Sequence, residues 1–364
     1  MSETSFRRLV RHPTATAAST ESSALLISAT AFVLVGLIAF IAFRDTHAPI
    51  SGPGSVGQFV ALASFVVGVA VFFVARALGA GRSTGGTAER VAADAAPQPI
   101  PLRWFDVAAL AFAHGMIALL GWIAVADLLD RSFAGADVYP FTSGVLAGVG
   151  AAVTAYAVYL SAVRLGPMQL SLVLVVFLVT GVFASMLTAT DPLWWQKNLS
   201  TLGISDDISA KAFNITLIIA GVIVTTIAHF AASQLPAGAD RAVRGRREVR
   251  ISLSLIGILL AGVGFFPVDE FLTVHNISAT GMVIVYATLV LRLRGLVPSA
   301  PQPLLLLGYV FLGVIAVLAV FFLTGYYNLT AVELVAFLLV FGWLIVFLRI
   351  TGAMSASTRQ NPLP

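Results

Sequence analysis

Ten stretches of roughly 20 apolar residues recur along the chain, near 24–43, 58–79, 104–126, 144–163, 168–188, 212–234, 251–266, 271–291, 304–324 and 331–350. An α-helix needs about 20 such residues to cross roughly 30 Å of hydrocarbon. In that solvent every backbone N–H and C=O must find its partner inside the protein, which leaves helices or a closed barrel. Runs of this length therefore restrict the chain to an all-α fold: a polytopic integral membrane helical bundle with about ten transmembrane helices. Composition agrees, since 59% of the 364 residues are hydrophobic and only 10% are charged, against about 25% in a soluble domain. The first run follows a polar leader, is long for a signal-peptide core and has no convincing small-residue cleavage site after it, so it reads as a retained span.

Orientation follows from the basic residues, because cytoplasmic loops keep Lys and Arg. With the N-terminus inside, all 21 basic residues except Arg44, Arg131, Lys197 and Lys211 fall on the inner side. A miscounted span would scramble that alternation, so the asymmetry supports ten spans with both termini cytoplasmic. The basic run "RAVRGRREVR" (241–250) then reads as a topology anchor against anionic lipid headgroups, and nucleic acid is not an expected partner. The Gly/Ala/Pro-rich segment 80–101 reads as an inner linker, and the turn "RLGPMQ" after the fourth span as a second boundary. The expected division is a polar tail (1–23), a four-helix module (24–165), a six-helix domain (166–350) and a cytoplasmic tail (351–364). Arginine outnumbers lysine heavily in an Ala/Gly/Val-rich chain, which points to the plasma membrane of a high-GC bacterium.

Against this apolar background, "GVGFFPVDEFLTVHNISAT" (262–280) gathers Asp269, Glu270, His275 and Asn276 at the outer turn between the seventh and eighth spans. The seventh apolar run is only about 24 Å long as a helix, so the turn is expected to dip toward the bilayer. Pro267 stops that helix and Asp269 is the expected N-cap of the next. Polar groups at that depth are costly unless they face protein or a wet cavity. Asn214, at the outer entrance of the sixth span, lies at a comparable level, on a face shared with Ile218, Gly221 and Thr225. The long exterior loop 190–211 brings Trp194 and Trp195 to the membrane boundary, followed by Ser200 and Asp206. The expectation is an outward-facing polar pocket lined by His275, Asn276, Asn214, Asp269 and Glu270, with Ser200 and Asp206 as its lid.

The order "STLG" (200–203), "AFN" (212–214), Gly221, "FP" (266–267) and "HNISA" (275–279) resembles a bacterial membrane family catalogued as domain of unknown function 998. More remotely it is similar to the eukaryotic Frag/DRAM/Sfk group, six-span proteins tied to lipid handling. The resemblance covers about residues 168–350 and implies a six-helix fold without an established reaction.

His275 reads either as a general base or headgroup donor oriented by Asp269 or Glu270, or as a structural histidine fixing the turn. Asn214 and Asn276 read as interhelical bonds. His114, in "FAHGM" near mid-membrane, is a possible intramembrane polar site whose ring donates to a carbonyl on a neighbouring helix while Gly115 allows close approach. Asp106 and Glu333 suit the N-termini of the third and tenth spans. No cysteine is present, so disulfides, thiolate nucleophiles and cysteine-ligated metals are excluded. The histidines are too dispersed to converge on zinc, and no metal or other cofactor is expected. There is no Walker, G-x-S-x-G or H-E-x-x-H pattern. Three classes remain open: an accessory protein whose partners are membrane lipids, a lipid-modifying enzyme (hydrolase or acyl transfer) using the outer pocket, and a transporter built from two inverted five-span halves.

Overall fold

The computed structural model describes residues 17–80, 104–163, 165–204, 206–235 and 240–360. Most of the polar N-terminal tail, the 80–101 linker apart from its first residue, and Arg164 of the second boundary lie outside the described residues. Among the described residues, ten helices are long and apolar enough to span a membrane: α1 Ala17–Ala42, α2 Val56–Ala80, α3 Trp104–Ser132, α4 Pro140–Val163, α5 Pro167–Thr188, α6 Ile208–Gln234, α7 Asp240–Phe265, α8 Leu272–Leu296, α9 Gln302–Leu323 and α10 Leu329–Gln360. The chain is a multi-pass, all-α membrane protein. It divides into two compact units, Met1–Gln169 and Leu170–Pro364.

In the first unit α1 packs along α4, and α2 packs against both α3 and α4. Lipid tails are as apolar as leucine, so helices here associate through close backbone approach rather than through exclusion of water. Gly144 and Gly148, one turn apart on α4, supply that approach. A Cβ on Gly144 would lie 2.9 Å from the Gly36 carbonyl oxygen of α1, and one on Gly148 would lie 2.8 Å from that of Phe32. The loops after α1 and α3 are tied by a short antiparallel pair, β1 Ala48–Pro49 and β2 Asp137–Val138, with Ala48 opposite Val138. Leu25, Leu34 and Ile38 of α1 are left exposed, as befits a helix facing acyl chains.

In the second unit α6 packs on α7, α7 on α8, α8 on α9, α9 on α10 and α10 back on α6. The α6 and α7 backbones approach closely, since a Cβ on Gly221 would come within 2.3 Å of the Gly257 carbonyl oxygen. Further along the same α6 face, Asn214 and Ile218 lie against Gly264. Tyr286 of α8 and Trp343 of α10 meet edge to face at 5.5 Å in the core. Joined to α6 through a buried pair, Ser185 Oγ of α5 donates to the Ser209 carbonyl at 3.0 Å.

Two expectations about the outer turn are corrected. The seventh helix is not short, because it begins at Asp240 and takes in the arginine run. Arginine is a good helix former, so a polar stretch that hydropathy assigns to a loop continues the helix instead. Nor does Asp269 cap α8: Phe271 occupies the cap position, with no side-chain capping bond.

Candidate functional site

The exterior loop between α5 and α6 is folded into two single 3₁₀ turns, Trp194–Gln196 and Leu199–Gly203. Local side-chain bonds shape its ends. Asp191 Oδ1 accepts from the Leu193 N–H at 2.8 Å, and Asp207 caps α6 by accepting from the Ala210 N–H at 2.9 Å. The other Asp207 oxygen accepts from the Thr190 hydroxyl at 2.8 Å.

Bonds from three helices then hold the loop. His275, in the first turn of α8, is 4% exposed. Its Nδ1 lies 2.8 Å from the Phe266 carbonyl oxygen and its Nε2 lies 2.9 Å from Ser200 Oγ. A carbonyl oxygen only accepts, so Nδ1 carries the proton; in the neutral ring Nε2 is then the acceptor and Ser200 the donor. Asn214 of α6 donates through Nδ2 to the Gly203 carbonyl at 2.9 Å, so His275 and Asn214 hold the two ends of one 3₁₀ turn. Glu333 of α10 accepts from the Leu199 N–H at 2.6 Å. Asn328, just before α10, donates to the Trp195 carbonyl at 3.0 Å and accepts from the Ala331 N–H at 3.0 Å.

Of the expected set, His275, Ser200 and Asn214 are therefore brought to one loop. Asp206, Asp269, Glu270 and Asn276 are exposed and do not join them. Neighbouring helix residues point about 100° apart, so Asn276 turns outward where His275 turns inward. Asp269 and Glu270 fall in the turn preceding α8. The orientation of His275 comes from a backbone carbonyl, not from either carboxylate.

Sequence reasoning missed Asn328 and gave Glu333 a different task. Glu333 lies beyond the first turn of its own helix and stabilises an N–H of the exterior loop instead. The signal for Asn328 is an asparagine immediately before a helix, an ordinary N-cap.

In the first unit, His114 is buried in α3, with its ring 4.8 Å from that of Phe72. Nδ1 bonds the Leu110 carbonyl at 2.7 Å, one turn back on its own helix. Nε2 bonds Ser161 Oγ of α4 at 2.9 Å. The cross-helix partner is thus a hydroxyl, not the expected carbonyl, and Gly115 faces Phe65 and Val69 of α2.

Among the described residues no three His, Cys, Asp or Glu side chains lie together to hold a metal ion. Comparison of the chain with protein-family models, curated proteins and solved structures found no match in any of the three.

Proposed function

We propose that this chain is a non-catalytic, lipid-interacting or accessory protein of a bacterial plasma membrane, whose outer polar residues hold its exterior loop against the helix ends. The observation that carries this reading is how His275 is bonded. One ring nitrogen closes the turn onto Phe266 and the other takes the hydroxyl of Ser200, while Asn214, Glu333 and Asn328 bond backbone groups of the same loop. Four side chains from outside the loop that fasten it at four points form an anchorage. The lipid part is supported by the apolar surface turned outward on the spans and by the resemblance of residues 168–350 to the unknown-function family and, remotely, to the Frag/DRAM/Sfk group. Protease accessibility of the loop in full-length His275→Ala, reconstituted in lipid nanodiscs, tests the anchorage. Cleavage near 194–203 should rise; an unchanged loop with lost lipid binding would sink the reading.

A second reading rests on one specific geometry. With Nδ1 fixed on the Phe266 carbonyl, Nε2 receives the Ser200 hydroxyl proton, the arrangement that activates a serine nucleophile. Ser200 would then attack an ester carbonyl of a lipid, with His275 as base. An acyl-phosphonate lipid analogue should label Ser200 if so, and absence of serine labelling on folded protein disposes of it.

A further inference from the structure

At the opposite end of the second unit, α7 carries its arginines on two faces with unlike surroundings. One face looks toward α8. There a Cβ on Gly245 would lie 2.1 Å from the Leu296 carbonyl oxygen, and Glu248 pairs with Arg292 at 2.7 Å. The other face holds Val243, Arg246, Arg247 and Arg250, spaced i, i+3, i+4, i+7 and so aligned along one side of the helix. These three guanidinium groups have no carboxylate partner among the described residues. They line a cavity of about 350 Å³ whose far wall is His229 and Ala232 of α6.

Depth places this face at the headgroups. The uncharged, mostly apolar run of α7 begins only at Ile251, so Arg246, Arg247 and Arg250 stand at the polar entrance of the span, from which long arginine side chains reach the headgroup level. Immediately beyond them Ile251, Leu255 and Ile258 continue the side that Arg247 begins, all of them exposed. An apolar stripe thus runs straight out of a cationic notch. Three like charges within two turns repel one another unless an anion neutralises them. A guanidinium fork matches phosphate oxygens in two-point hydrogen bonds. A free phosphate satisfies the notch alone; a phospholipid satisfies the notch and the stripe together.

We propose that Arg246, Arg247 and Arg250 form a binding site for the phosphate headgroup of an anionic phospholipid, with an acyl chain lying along Ile251, Leu255 and Ile258. The site deepens the lipid-interacting reading above and rests on it.

The test is native mass spectrometry of the delipidated full-length chain with phosphatidylglycerol, phosphatidylcholine or inorganic phosphate added. One phosphatidylglycerol per chain should be retained in preference to phosphatidylcholine. Arg246→Gln/Arg250→Gln should weaken that retention about thirtyfold, taking the usual gain per arginine at an anionic headgroup. Arg294→Gln/Arg349→Gln, the same charge removed elsewhere, should change it by less than about threefold. If the double variant fails to fold, Arg247→Gln, at an exposed position, should weaken retention about fivefold. Equal retention by wild type and notch variants overturns the site while leaving lipid interaction standing. Failure of wild type to retain any lipid overturns both. Inorganic phosphate competing as well as phosphatidylglycerol overturns the assignment to a lipid.

Discussion

His114 lies well inside α3 and His275 lies in the first turn of α8, yet the two rings are bonded to the same pattern. Each is buried, each bonds a backbone carbonyl through Nδ1, and each bonds a serine hydroxyl through Nε2. What differs is where the partners come from. For His114 they are its own helix and the neighbouring α4, so the ring joins one span to another. For His275 they are the end of α7 and the exterior loop, so the ring joins a loop to the bundle. The chemistry is shared; depth decides its energetic weight. Water reaches the outer rim and can replace a lost partner, but it does not reach the middle of a span.

Removing each ring sharpens that contrast. His114→Ala should have the larger effect. It empties space beside Phe72 and leaves the Ser161 hydroxyl without its cross-helix partner, for a loss of about 3 kcal/mol. Denaturant unfolding of the reconstituted protein would measure it, and a loss under about 1 kcal/mol would mean that neither the contact with Phe72 of α2 nor the bond to Ser161 of α4 holds α3 in place. His275→Ala should cost about 1–2 kcal/mol, because water can take up Ser200 Oγ and the Phe266 carbonyl. Its signature is local: amide exchange should rise across 194–203 with little change in the spans. Protection lost throughout the spans would remove the distinction between loop anchor and helix joint.

Glu333→Gln probes the same loop from α10 and should do less. The amide oxygen can still accept from the Leu199 N–H, so the loss is at most the charge assistance, about 1 kcal/mol. Exchange of the Leu199 amide is the direct measure. If it stays as slow as in wild type, the carboxylate charge is not what holds the turn.

The spans and the loop anchor differ in how far the sequence reveals them. A span is a one-dimensional property, a run of apolar residues long enough to cross the hydrocarbon, and all ten runs are helices. The seventh helix shows the limit of that signal, since hydropathy ends where Arg250 begins although the helical backbone continues to Asp240. Depth also follows from position along a span, and it put His275, Asn214 and Ser200 at one level. Azimuth does not follow from depth. Asn276 shares the level of His275 and faces the other way, and Asp206 is exposed while its neighbour Asp207 caps α6. The contacts of Glu333 and Asn328 required the path of the exterior loop, set by two 3₁₀ turns whose sequence carries no strong periodic signal.

Asn276→Ala tests that last distinction and should have the smallest effect of all. Asn276 adjoins His275 in sequence, shares its depth and is as polar, so a site defined by depth would lose as much from this change as from His275→Ala. A site defined by direction would lose almost nothing. Asn276 is exposed, and surface substitutions away from caps and buried bonds fall within about 0.5 kcal/mol. Alanine also has the higher helix propensity, so the net change should lie near zero or slightly favour the folded state. Loop exchange across 194–203 should match wild type. A loss approaching that of His275→Ala would show that Asn276 takes part in holding the loop, and the anchor would then extend around the outer end of α8 instead of residing on its inward face.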